Sequence, residues 1–406
     1  MLDKNGTRQL AYVVVVDAVT PIPGYDRVEL AHISGWTVVV GKGEFHIGDP
    51  AIYFEIDSQL PEVAPFTNME FLAKKHYKIK TQKMCKSLSQ GLLMSAANFG
   101  WTMADGAILD LDGNRHSINN ESRFLTAQLG VTYAEPGDNT RKAPSADKYK
   151  KMAQRHPNLN KNLITRKMMK TELGKKILYL FFGRGLKKTS WPDWVRKTDE
   201  ERCQNLVPVL FDGGAWSKES WIATEKIDGS SSTYAIKRRP LGGYDFYVCS
   251  RNVVQDTPDK KCFYDSNIYW EIEKKYHIRT VLETMMKQLK GVEWITLQGE
   301  IFGENVQKRD YSMNYHDFRA FNLIFSNSGR KNPVQMTLIL KKYGIPCVPV
   351  VDQDFHLPAT IDELLSYADG VSVIDGKPRE GIVFRSQDGS KSFKAVSNSY
   401  LLKYHQ

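Results

Sequence analysis

Cysteine is scarce in this chain: five in 406 residues, at positions 85, 203, 249, 262 and 347, with no CxxC pair. An odd, scattered set excludes a disulfide framework and a zinc ribbon, and it points to a reducing compartment, the cytoplasm. The nine histidines include no HxxxH or HExxH, so a histidine-held zinc has no basis. Long hydrophobic runs are missing too. The longest, ILYLFF at 177–182, is far too short to cross a bilayer, and no membrane partner is expected. The opening residues, MLDKNGTRQLAY, lack the apolar core of a secretory signal. Acidic residues are nearly absent from one stretch. Between 141 and 188 there are fifteen Lys/Arg against Asp147 and Glu172, a local charge of +13 in a chain of +10. Contact with nucleic-acid phosphates is the functional reading of that segment; a solvated linker is the other.

What is present divides the chain into three parts. Residues 1–135 read as short strands with Gly, Pro and Asp turns, which suggests a small antiparallel barrel of OB type. In IYFEI, alternation places Ile52, Phe54 and Ile56 on one face and Tyr53, Glu55 and Asp57 on the other. KHYKIKTQKMCK reads as a strand with Lys75, Lys78, Lys80, Lys83 and Lys86, and Lys74 just before it, around Tyr77. Such a face suits a nucleic-acid backbone, and equally an edge strand protected by lysines. Residues 136–190 are a basic connector or insertion. Residues 191–406 have a mixed α/β pattern, with strands expected at 220–224, 231–238, 244–250, 293–302, 318–325, 347–351, 380–385 and 391–396. The clearest helix is 278–289, where Ile278, Val281, Leu282, Met285, Met286 and Leu289 form one apolar face. Thr198 and Glu201 have the spacing of a capping box.

In the third part, polar groups recur at turns and strand mouths. KIDG places Lys226 between two strands, in a turn with Gly229, Ser230 and Ser231. LQGEIFG places Glu300 near a strand end, REGIVFRS places Glu380 at a strand start, and SFKAVSNSYLLK supplies Lys394 and Lys403. A lone KxDG is weak evidence, whereas this serial order is specific.

In that order the blocks resemble the covalent nucleotidyltransferases, the polynucleotide ligases and RNA capping enzymes. The barrel in front, together with KTDEERCQNL, is most similar to nick-sealing, ATP-dependent RNA ligases with an N-terminal OB domain. The resemblance implies an α+β/β chain, an OB-type barrel followed by a mixed antiparallel-sheet adenylation domain. It implies ATP and Mg²⁺ or Mn²⁺ as cofactors, RNA or an RNA-containing nicked duplex as partner, and a monomer. Lys226 would be the nucleophile that carries AMP, with Lys394 and Lys403 on the α-phosphate. Glu225, Ile227, Gly229, Arg202, Asn205, Arg251, Glu300, Phe321 and Glu380 would line the nucleotide site, and Glu300 and Glu380 would hold metal. Phe318 competes with Phe321 as the ring stacked on adenine, and Asp228 would hold the turn. Lys226 attacks only as a neutral amine, so its pKa is expected to fall through burial, Lys394 and metal. A barrel before the adenylation motifs argues against capping enzymes and ordinary DNA ligases. A ligase of single-stranded ends and a catalytically inactive RNA-binding protein remain as alternatives.

Overall fold

The computed structural model describes residues 1–134, 191–255 and 266–404, with a few positions between 163 and 178. Apart from those positions, which include the short helix Leu163–Met168, the basic segment 136–190 lies outside the described residues, and so does the phosphate contact expected of it.

The first part is built of small antiparallel sheets. Strand β1 (Ala11–Val15) pairs with β5 (Pro50–Phe54), while β2 (Ala18–Ile22), β3 (Tyr25–Ile33) and β4 (Trp36–Gly41) form a meander. β6 (Thr81–Met84) and β7 (Ser87–Gln90) form a hairpin, and β8 (Leu92–Met94) pairs with β5. The hairpin turns at Cys85 and Lys86, both with positive φ, the geometry of a two-residue loop between twisted strands. Its sequence therefore makes a short strand, a turn and a second strand rather than the single strand expected across 75–86. The alternation expected around Tyr53 holds as far as Phe54, but the second face is not polar and Ile56 departs from it. Strand β5 is buried on both faces, Ile52 and Phe54 in one apolar cluster, Ala51 and Tyr53 in another, and Ile56 joins the Tyr53 side. A strand enclosed by packing on both sides carries no polar face. Glu55 is wholly buried, neutralised by the N-terminal amine and by Arg8 at 3.1 Å.

The third part contains two antiparallel sheets. Its strands are β9 (Ser220–Lys226), β10 (Ser230–Arg238), β11 (Tyr244–Ser250), β12 (Trp294–Gly303), β13 (His316–Phe325), β14 (Val350–His356), β15 (Gly381–Ser386) and β16 (Ser392–Val396). One sheet runs β14-β9-β15-β16; the other runs β11-β10-β12-β13, with Gly329–Arg330 at its edge. The helices are α1 (Ile268–Tyr276), α2 (Ile278–Gln288), α3 (Pro333–Lys341), α4 (Ile361–Ala368) and α5 (Asn398–Tyr404). Helix α2 buries the stripe Ile278, Val281, Leu282, Met285 and Met286 in the core of the second sheet, and its methionines are core residues. Thr198 is not a helix cap. Its hydroxyl meets that of Ser231 at 2.9 Å, and the first helical turn begins only at Cys203. Glu201 instead accepts from the Arg202 amide and from Asn205 Nδ2, at 3.0 and 2.7 Å.

The two parts touch. The Arg202 guanidinium lies 5.7 Å from the ring centroid of Trp36 on β4. Lys83 on β6 donates to the Leu402 carbonyl of α5 at 3.0 Å, and Leu88 packs with Val396 and Leu401.

Candidate active site

Lys226 is the last residue of β9 and pairs with Gly381; four residues on, Ser230 opens β10 and pairs with Ile301. The turn 227–229 therefore passes from one sheet to the other, and the lysine stands where they meet. The passage is tight. A Cβ on Gly229 would sit 2.2 Å from the Ile301 carbonyl oxygen, so no other residue fits without moving backbone. Gln307 Nε2 donates to the Gly229 carbonyl at 3.0 Å and fixes the turn from outside.

A cavity of about 260 Å³ opens at this junction. Lys226, Glu225, Ile227, Gly229, Arg251, Glu300, Phe321 and Lys394 all line it. Glu380, the residue before β15, reaches the lysine from the side, with Lys226 Nζ to Glu380 Oε2 at 2.6 Å. Glu300 lies opposite Ser231 across the second sheet.

The electrostatics differ from expectation. Burial pushes the Lys226 amine down, but Glu380, Glu300 and Asp228 together outweigh it, and the pKa is raised. With three carboxylates around one cation, the acids lack compensating charge. Burial, opposed by Lys226 and reinforced by Glu380, pushes Glu300 up to about 8. Burial also raises Glu380, against the pull of Lys226. Lys394 is lowered by burial, against the pull of Asp199 and with the help of Arg202 and Lys226. Without ligand, the Lys226 amine is thus held protonated, and Lys394 does not reverse this.

Phe321 and Phe318 separate cleanly. The register of β12 on β13 slips between Gln298 and Gly299, so that Gln298 faces Asn322 and Gly299 faces Ala320. Phe321 is the unmatched residue of this bulge; it turns into the cavity and packs with Ile227, Phe302, Tyr311 and Val348. Phe318 is fully buried in the core beside Tyr234.

Other residues named from the sequence fall outside the cavity lining. Arg202 is packed between the two parts of the chain, and its backbone bridges Lys394. Asn205 is buried and tied to Glu201. Lys403 is exposed on α5, its amine 5.1 Å from the ring centroid of Tyr404. Glu225 lines the cavity and also accepts the Val373 amide at 2.8 Å. Sequence reasoning missed Asp199, which spans Arg251 and Lys394 at 3.3 Å each. Nothing in TDEE distinguishes it from its neighbours. It also missed Arg385, a lining residue on β15 held by Glu200 at 3.0 Å; a charge inside the apolar run GIVFRS was the available signal.

A divalent cation fits this donor set. Among the described residues no cluster of three His, Cys, Asp or Glu side chains forms a closed cage. Ions of the Mg²⁺ type, however, take one or two carboxylates and complete their shell with substrate phosphates and water. Glu300 and Glu380, two acids whose charged form burial disfavours and a cation would restore, offer such carboxylates.

Two antiparallel sheets with a lysine at their junction, behind a strand-rich domain, define a ligase-type nucleotidyltransferase. Residues 219–405 match the family described as RNA ligase, and residues 10–96 match an OB-fold domain. Among solved structures the chain is similar to Naegleria gruberi RNA ligase with PPi, at 26% identity and a TM-score of 0.64, covering 98% of this chain and 99% of that one. A mutant of that ligase with ATP and Mn is matched at 26% and 0.64 over 97% and 99%; another with AMP and Mn at 26% and 0.64 over 98% and 99%. No curated protein matches. The chain is an RNA ligase with an N-terminal OB-fold domain.

Proposed function

We propose that this RNA ligase is ATP-dependent and seals nicks between a 3′-OH and a 5′-phosphate through a lysine–AMP intermediate. The observation that carries the reading is the placement of Lys226 beside Glu380, in a cavity shared with Glu300, Phe321 and Lys394. The similar ligase structures containing ATP, AMP and Mn support the same cofactors here. Once its amine is neutral, Lys226 Nζ attacks the α-phosphorus of ATP. An N–P bond forms, the bond from the α-phosphorus to the bridging oxygen breaks, and pyrophosphate leaves. The AMP then passes to a 5′-phosphate. The 3′-OH attacks that capped end and AMP is released. Every step displaces at phosphorus, so the protein's task is to position groups and stabilise charge. Bound by Glu300 and Glu380, a divalent metal would neutralise charge on the phosphates and carboxylates. Lys394, and Arg251 held through Asp199, face the phosphates, while Phe321 stacks on the base. Arg202 and Asn205 shape the segment that holds Lys394, and Lys403 lies on the outer surface.

The exposed lysines near the β6–β7 hairpin, Lys75, Lys80 and Lys83 among them, would hold the duplex beside the nick. No helix among the described residues is long and apolar enough to cross a membrane. A monomer acting in the cytoplasm is part of the proposal. The test is incubation with α-labelled ATP and a divalent metal, then denaturation. Label from ATP that is lost in Lys226→Ala, followed by joining of a templated nick, is the expected result. No label, even after pre-treatment with pyrophosphate to strip bound AMP, would overturn the reading.

A further inference from the structure

The KIDG turn is gripped from a side that the nucleotide site does not use. The Asp228 amide donates to Tyr311 Oη at 3.0 Å, and Asp228 Oδ2 accepts from Tyr400 Oη at 2.5 Å. Both tyrosines are almost fully buried. The Arg309 guanidinium lies 4.2 Å from the Tyr311 ring centroid and 5.6 Å from that of Tyr400, and is itself held by Asp375 at 2.7 Å. Tyr400 belongs to α5, whose first turn is tied to the opposite side of the site. Ser397 Oγ accepts the Tyr400 amide at 3.0 Å, and the Ser397 amide donates to the Glu380 carbonyl at 2.9 Å.

We propose that Tyr311 and Tyr400 are positioning residues that clamp Asp228, and thereby hold the Lys226 amine in line with the nucleotide. The inference rests on the ligase reading above. A turn of three residues between two sheets has few bonds of its own. Among the described residues, Asp228 is fixed at its amide by one tyrosine and at its carboxylate by the other. Because Ser397 is bonded to the backbone of Glu380, one short segment sets both the acid beside the lysine and the turn that carries it. Loss of either hydroxyl leaves the rings packed but frees the turn. The amine then spends less time aligned with the α-phosphorus, so the rate falls while the cavity that binds ATP is unchanged.

The experiment is single-turnover labelling of the full chain with ATP, alongside direct measurement of ATP affinity. Tyr400→Phe and Tyr311→Phe are each expected to lower the labelling rate tenfold or more, with ATP affinity within about threefold of the unsubstituted enzyme. A cycle of Tyr400→Phe with Asp228→Asn is expected to be strongly non-additive, because both act on one bond. If Tyr400→Phe does not fold, Tyr311→Phe carries the same test. Wild-type labelling rates in the phenylalanine variants, or additive effects in the cycle, overturn the clamp while leaving the ligase reading standing. Absence of label in the unsubstituted enzyme defeats the ligase reading and the clamp together.

Discussion

Lys226 and Glu380 stand 2.6 Å apart because each sits at the end of its strand, Lys226 closing β9 and Glu380 preceding the paired Gly381 of β15. The contact favours the charged form of the Lys226 amine. Its pKa, raised by Glu380, Glu300 and Asp228 against burial, predicts that lysine labelling by ATP accelerates as pH rises. Glu380→Gln removes the largest of those charges and should move the rising limb of the pH–rate profile to lower pH, even if the plateau rate falls. A profile that does not move would show that Glu380 does not govern the amine.

Glu300 makes a prediction about stability. Its folded pKa, about 8, lies above the unfolded value, so the unfolded chain loses this proton first. Stability from this group is complete at acid pH and is lost as pH rises from the unfolded pKa through about 8. Glu300→Gln has no proton to lose. Without nucleotide it should be more stable than the parent at pH 8, by up to about 4 kcal/mol, with little difference near pH 4. Denaturant midpoints at the two pH values check this.

The two phenylalanines of β13 should fail differently. Phe321→Ala is expected to weaken ATP binding about tenfold while costing little stability, since the ring borders the cavity. Phe318→Ala should cost about 3–5 kcal/mol by leaving a void in the core. Calorimetry and nucleotide titration separate the outcomes.

Gly229→Ala should abolish lysine labelling, because the new methyl group would lie 2.2 Å from the Ile301 carbonyl oxygen and the turn would have to shift. A variant that folds and labels normally would show that the turn tolerates such a shift.

Replacing Lys78, Lys80 and Lys83 by Gln should leave labelling by ATP intact but weaken duplex RNA binding. The log–log salt slope should fall by about 0.9 for each phosphate that the variant no longer neutralises. An unchanged slope would remove this face from the RNA path.

The architecture and much of the site were legible in the sequence for a definite reason. Lys226, which ends a strand, and Glu380, which precedes one, leave local marks beside glycines in KIDG and REG, whereas Glu300 lies inside β12, paired on both sides, and not at its end. The placing of Phe321 depended on a bulge, and one-letter alternation carries no trace of a slipped register. Tyr400 and Asp228 are 172 positions apart. Their contact depends on how α5 folds back against the turn, which no local pattern records. Thr198 and Glu201 imitated a cap because the same spacing can serve a loop that pairs elsewhere. Lys403 carried the right charge, but the helical stretch Asn398–Tyr404 holds it on the outside.

The passage of the turn 227–229 between sheets has one more consequence. Lys226 and Glu380 travel with one leaf of the domain; Glu300 and Phe321 travel with the other. On the proposed function, a nucleotide seated between them would be a rivet through both leaves. Its binding would then draw the two leaves together and add its binding free energy to the stability of the folded domain.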